Sequence, residues 1–217
     1  MKGRLLLFIK FRRREFIYKY NINDNLQQSL SLKFKQLFLS ENNDGEILTL
    51  KTIANLYQPK TISGDELVKK GKYFVYGANG IIGKYNEYNH KENQIAIACR
   101  GASCGVVTMT LPYSWITGNA MVVEPSEKFP YKEFIYQMLV TKNVSYLNTG
   151  SAQPQLTREN LQNYSFKIKN KDYIKYFEND AKVIRDKLIS IEIENNQLIS
   201  LRDWLLPMLM NGQVTLA

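Results

Sequence analysis

From Ile174 to Leu198 the apolar residues recur in steps of three and four: Ile174, Phe177, Ala181, Ile184, Leu188, Ile191 and Leu198, with Asn195 filling the one gap. That spacing makes one narrow stripe of a helix apolar, which is the seam of a coiled coil. Such a stripe has no interior of its own, so the helix needs a facing helix and the chain is built to join something. The helix is expected from near Asp172 to Leu206, about 50 Å at ~1.5 Å per residue, with Pro207 and Gly212 marking where regular helix fails. Leu201, Trp204 and Leu205 continue the apolar face to its end. Trp204 is either a partner anchor or a cover for the chain's own helical pair. Asn195 either selects register and partner number, as a buried polar seam residue does, or lies at a wet end of the seam.

A second helix is expected over 21–40, where Ile22, Leu26, Leu30, Phe34, Leu37 and Phe38 share a face, Asn21 or Asn23 caps the start, and the polar stretch from Ser40 to Gly45 ends it. Between the helices, over 46–170, the pattern changes to short β-rich runs punctuated by glycine. They are Ile47 to Asn55, Tyr73 to Tyr76, Gln94 to Cys99, Gly105 to Thr110, Asn119 to Glu124 and Tyr164 to Ile168. Helices starting at Pro130 and Thr157 interrupt them. The fold class expected is α+β: a compact mixed domain with a shorter N-terminal helix, a long coiled-coil helix over 172–210, and a tail over 211–217. Residues 1–20 are basic and aromatic without clear periodicity. Their apolar run stops at Lys10 and is followed by Arg12, Arg13 and Arg14, so export is not expected, and no run approaches the roughly 18 apolar residues that span a bilayer.

Charge narrows the partners. Lys and Arg outnumber Asp and Glu by 29 to 20, a net +9, which favours a polyanion such as nucleic acid or an acidic membrane face. The two cysteines, Cys99 and Cys104, lack the second pair a zinc site needs; they fit a reducing, cytoplasmic interior, with Cys99 a small core residue. His90 is the one histidine and has no nucleophile at motif spacing. No catalytic residues, metal ligands or cofactor motif are expected in this chain.

Several segments resemble one family. They are Gly71-Lys72-Tyr73 with Tyr76-Gly77-Ala78-Asn79-Gly80-Ile81-Ile82-Gly83, then Ala98-Cys99-Arg100-Gly101-Ala102-Ser103-Cys104-Gly105 and Thr117-Gly118-Asn119-Ala120. Gly150-Ser151-Ala152-Gln153-Pro154-Gln155-Leu156 and Leu201-Arg202-Asp203-Trp204-Leu205-Leu206-Pro207 follow. In this order, with a heptad helix behind them, they resemble the specificity (S) subunits of type I restriction-modification systems over about residues 21–217. The resemblance implies a target recognition domain that reads half of a split DNA site, and helices that space two such domains while docking methyltransferase subunits. This chain carries one such domain where a complete subunit has two, so it looks like a half-sized or truncated form.

On that reading, Asn79 and Lys84 sit at the tip of a glycine-rich turn that either only turns the chain or brings backbone close to DNA. Arg100, with Ser103 in the same turn, is a candidate reader of guanine or a plain surface arginine. Gln153, Gln155 and Arg158 flank a helix start, where glutamine pairs with adenine and the helix end welcomes phosphate. Lys72 and Tyr76 belong to a set in which Tyr73, Phe74, Tyr85, Tyr88 and Tyr113 alternate with Lys69, Lys70 and Lys91 to line a groove, some of the rings being core. The partners implied by the resemblance are double-stranded DNA, methyltransferase (M) subunits with S-adenosylmethionine, an ATP-driven restriction (R) subunit, and a second copy or another half-subunit. The alternative is a scaffold that binds the partner subunits without reading DNA.

Overall fold

A computed structural model describes residues 22–39, 45–69, 71–150 and 153–213, so the basic segment 1–20, the Asn21 cap and the stop at 40–44 lie outside the described residues. Helix α1 covers 22–38. Strands β1 (Glu46–Thr49) and β2 (Ala54–Tyr57) follow, separated by one helical turn, α2 (Leu50–Ile53). Next come β3 (Tyr73–Gly77), β4 (Gly80–Tyr85), β5 (Ile95–Ala98), β6 (Val107–Met109), β7 (Trp115–Ile116), β8 (Ala120–Pro125) and helix α3 (Lys132–Lys142). Helix α4 (Arg158–Gln162), β9 (Ser165–Ile168) and helix α5 (Ile174–Met210) complete the order. The α+β class with a long C-terminal helix and a shorter N-terminal one is as the sequence indicates.

The chain forms two compact units whose boundaries cut through both long helices: Lys33–Asn179, and the segments before Lys33 and after Asn179 together. Within Lys33–Asn179, the four-stranded sheet runs in the order β2-β8-β5-β6, with each neighbour pair antiparallel. Of its two central strands, β5 is buried at all four positions, which is why Ile95-Ala96-Ile97-Ala98 is continuously apolar or small instead of alternating. One face meets the three-stranded sheet β4-β3-β7 through Tyr76, Ala96, Ile116, Ala120 and Val122, and α3 packs on β6 and β8. The single run expected over Ile47 to Asn55 is broken by α2 because its halves serve different sheets: β1 pairs with β9, and β2 with β8.

The first turns of α5 belong to the globular unit. Phe34, Phe38, Phe134 and Phe177 are all fully buried, and their ring centroids lie 5.0–5.6 Å apart in tilted and edge-on pairs. Lys33 lies over the Tyr176 ring, the Asn170 amide donates to the Leu37 carbonyl, and the Lys169 amide donates to the Phe38 carbonyl. Residues rising from 33 to 38 therefore meet residues falling from 177 to 169, so the two segments run antiparallel. Glu178, buried, accepts from the Glu133 and Phe134 amides at 3.2 and 3.0 Å. A carboxylate from α5 thus satisfies two of the four amides that the start of α3 leaves without intrahelical partners.

The sequence expectation placed Ile174 and Phe177 on the partner seam. Both are closed inside the globular unit, at 2% and 0% exposure, so they are corrected to core residues. The periodicity that nominated them records burial and is silent on whether the covering surface belongs to the same chain. Pro207 lies inside α5 and does not end it. The stop comes at Gly212, with φ of +68°, where the Gln213 amide bonds to the Met208 carbonyl and the Gly212 amide to the Leu209 carbonyl, the two bonds of a Schellman motif.

Candidate functional site

Three separate segments meet at the C-terminal end of β5. The β3–β4 hairpin turns through Ala78 and Asn79, with Gly80 in the left-handed region at φ +75°, and Asn79 stands exposed at its tip. Beyond β5 the chain makes a tight turn in which the Cys104 amide bonds to the Gly101 carbonyl and the Val106 amide to the Ser103 carbonyl. Gly105 closes it with φ of +90°, and a Cβ there would lie 2.6 Å from the Ser145 backbone, so no other residue fits without displacing that segment. The Ser103 hydroxyl donates to the Asn79 side-chain carbonyl, tying this turn to the hairpin tip.

The third segment is the loop before α4. The Leu156 amide bonds to the Cys99 carbonyl at 3.0 Å and the Gly101 amide to the Pro154 carbonyl at 3.2 Å, so Arg100 and Gln155 face each other as an antiparallel bridge. Thr149 and Gln155 exchange both backbone bonds, at 2.8 and 2.9 Å, which folds the loop back on itself. The segments carrying Asn79, Arg100 and Gln155, distant in sequence, thus meet, and all three residues are exposed while Ser103 is half-buried. Gln153 and Arg158 are exposed as well; Arg158 opens α4, whose Thr157 cap accepts from the Asn160 amide. Ser151 and Ala152 of the same motif lie outside the described residues.

Chemically these segments offer a guanidinium, two carboxamides and a hydroxyl on loops pinned by backbone bonds. A guanidinium matches guanine O6 and N7, and a carboxamide matches adenine N6 and N7. Rigid placement matters because each such pair discriminates only when both of its bonds form together.

Not every expected residue joins them. Tyr76 is corrected: it is a core residue of β3, 3% exposed, and its hydroxyl accepts from the Leu111 amide at 3.1 Å, so it has no edge to offer a groove. Lys84 is not at the hairpin tip. It pairs with Phe74, five residues beyond Asn79, or ~17 Å along the strand, and its ammonium lies 5.1 Å from the Phe74 ring. Lys72 is exposed at the same far end, 5.0 Å from the Tyr73 ring, where Tyr73, Tyr88 and Tyr113 form an edge-on ladder with 5.0 and 5.3 Å spacings. Lys70 lies outside the described residues. Cys99 is buried and burial pushes its thiol up to about 11; Cys104 is also pushed up by burial. Among the described residues, no three His, Cys, Asp or Glu side chains group closely enough to hold a metal.

The sequence did not single out Asn148, whose amide donates to the Cys104 carbonyl and whose carbonyl accepts from the Cys104 thiol. It holds the Arg100 turn from behind. An isolated asparagine in a loop carries no periodic signal, so nothing in the chain marks it.

The seam residues beyond Asn179 belong to the other unit. Ala181, Leu188 and Ile191 are buried there by the chain itself, so Leu188 and Ile191, expected on the partner seam, are corrected to internal residues like Ile174 and Phe177; Ile184 is half-buried, and burial raises the Glu192 carboxyl while Arg185 pulls it back. Toward the end of α5 cover is lost: Asn195, Leu198 and Leu205 are half-buried, Leu201 is exposed, and Trp204 and Met210 are 60% and 78% exposed. The Asn195 side-chain carbonyl is buried without a hydrogen-bond partner among the described residues.

Comparison with known proteins bears on this arrangement. Residues 42–200 match the family model of the type I restriction modification DNA specificity domain. The chain belongs to that family. The match takes in the three meeting segments and most of α5 together. A type I restriction-modification system S subunit from M. genitalium superposes with a TM-score of 0.64 at 21% identity, covering 94% of this chain and 58% of that one. A structure described for complex assembly and conformational transition of the type I R-M system superposes with a TM-score of 0.53 at 9% identity, covering 94% and 55%. At such identities the likeness is one of fold, and the chain spans under two thirds of each relative's length. A search of the curated proteins found no match. No helix of the described residues is long and apolar enough to cross a membrane.

Proposed function

We propose that the chain is the specificity component for one half of a bipartite DNA site in a type I restriction-modification system. Arg100, Gln155 and Asn79, with Ser103 bracing Asn79, read a few base pairs in a groove. Gln153, Arg158 and the lysines, among them Lys72 and Lys84, meet phosphates and set affinity without setting sequence. One domain carries too little information for a full site. A second copy, or another half-subunit, pairs along the end of α5, where cover is lost, and places two readers on one face of the duplex, with half-sites of the order of one turn, about 34 Å, apart. Methyltransferase subunits with S-adenosylmethionine dock on the paired helices, an ATP-driven restriction subunit joins through them, and this cytoplasmic chain does no chemistry itself.

The observation that carries the reading is the meeting of the segments of Asn79, Arg100 and Gln155 within a chain of the specificity-domain family. Gel shift of the purified chain, alone and with its methyltransferase partners, tests it. Arg100→Ala is expected to weaken specific binding by about ten- to hundredfold, as a lost bidentate base contact does, and to relax the preference at one base pair. Binding that appears only with partner subunits and ignores Arg100 would instead make the chain a scaffold.

Asn195 bears on the assembly. Asn195→Leu removes a buried acceptor that lacks a partner among the described residues and is expected to stabilise the helical pairing by about 1–3 kcal/mol while loosening its register. Light scattering and cross-linking should then detect more than one assembly size or orientation. A single unchanged assembly would put Asn195 at a wet end of the seam.

A further inference from the structure

The globular unit also carries an open cleft of about 600 Å³ bordered by Tyr57, Lys60, His90, Lys91, Trp115 and Glu124. Gln94, at the start of β5, also lines it, whereas Arg100 follows the other end of that strand, six residues or ~20 Å away. The cleft is therefore distinct from the reader loops.

Its floor is a fixed hydrogen-bond chain. The Ile116 amide donates to the Asn89 side-chain carbonyl and the Asn89 side-chain amide donates to the Ile116 carbonyl, both at 2.9 Å, which settles which end of Asn89 accepts. His90 Nδ1, 2.6 Å from that carbonyl, must carry the proton and donate. Burial lowers the imidazole pKa, so the ring is neutral, Nε2 is the acceptor, and the Tyr57 hydroxyl donates to it at 3.0 Å. Burial and the Glu124 carboxylate both push the Tyr57 phenol up, which keeps that donor protonated and puts Glu124 within electrostatic reach. The Tyr57 and His90 rings lie within 18° of parallel at 6.1 Å. The floor is thus neutral, aromatic and internally satisfied, suited to stacking.

The walls are otherwise. Glu124 is an exposed acceptor, and Lys60 and Lys91 are exposed cations. Among the described residues, the side-chain carbonyl of Gln94, 8% exposed, and the Trp115 indole N–H have no hydrogen-bond partner, an acceptor and a donor lying behind the same cleft. We propose that this cleft binds a nucleotide whose base carries an exocyclic amino group, the base stacking on the Tyr57–His90 floor, its amino group meeting Glu124 and its phosphate meeting Lys60 or Lys91. A cleft of this size is in the range that holds such ligands. The nucleotide has two sources: a free mononucleotide, or a nucleotide unstacked from DNA, of which only the second rests on the DNA-reading function proposed above.

The chain has two tryptophans, so Trp204→Phe in the full chain leaves Trp115 as the sole reporter at the cleft. Its emission is followed while dAMP, dCMP, dTMP and then a mixed-sequence duplex are added. A saturable change with dAMP or dCMP is expected, about tenfold weaker with dTMP and about tenfold weaker again for Glu124→Gln, the loss that removal of a charged hydrogen bond brings. A response to duplex as well as to mononucleotide assigns the unstacked source, and a response to mononucleotide alone assigns the free one. Silence with dAMP and dCMP, or equal responses from dTMP and from Glu124→Gln, overturns the assignment. Gel shift on the same samples keeps the two readings apart: duplex binding with Trp115 silent to mononucleotide and duplex alike removes the cleft and leaves the reader loops, whereas a saturable dAMP or dCMP response without duplex binding does the reverse.

Discussion

Phe177→Ala is expected to lower the unfolding free energy of the globular unit by about 3–5 kcal/mol, the range for deleting a fully buried aromatic side chain. The ring touches Phe34 and Phe38 at 5.6 Å centroid distance and has no exposure, so its loss leaves a cavity bounded by rings that cannot close without leaving their edge-on geometry. Its helical neighbours are two residues that hold other elements: Tyr176, under the Lys33 ammonium, and Glu178, on the amides of α3. Leu198→Ala on the same stripe removes a half-buried side chain and is expected to cost under ~1 kcal/mol in the isolated chain, appearing instead as weaker assembly. Denaturant unfolding of both variants decides the matter. A cost below ~1 kcal/mol for Phe177→Ala would return that residue to the partner seam.

Binding to duplex DNA is expected to weaken by about a thousandfold between roughly 50 and 200 mM salt if the basic surface neutralises six phosphates. The net charge of +9 supplies the cations, and Arg158 at the start of α4 and Lys72 at the base of the β3–β4 hairpin are among the exposed ones. Replacing Lys72 by alanine should reduce the slope of log affinity against log salt by about one and weaken all sequences alike, whereas Arg100→Ala should act mainly on the preferred sequence. A flat salt response would remove the electrostatic part of the account.

The fold was legible where a physical signal is local. Continuous burial marked β5, the stripe marked α5, and the glycines around Asn79 and Arg100 marked turns whose side chains are displayed. What the sequence hid was set by pairing between distant segments. Ile47 to Asn55 reads as one strand because α2 interrupts it for only four residues, and the change of sheet is visible only in the partners of β1 and β2. Tyr76 sits in the same hairpin as Asn79 and is equally polar-tipped, yet the pleat turns it to the core. Ile174 and Phe177 share the period of the seam because a helix face that is covered looks the same from sequence whichever surface covers it. Sequence points to Arg100 and Gln155 separately; their meeting depends on the backbone bonds of 99–101 with 154–156.

The most direct test is to map methylated sites in cells carrying this chain with its partner subunits, in cells lacking it, and in cells carrying Arg100→Ala. A split motif that depends on the chain, with one position of a half-site relaxed by Arg100→Ala, is the expected result. Methylated sites that are identical in all three would contradict the claim that this chain chooses where the system acts.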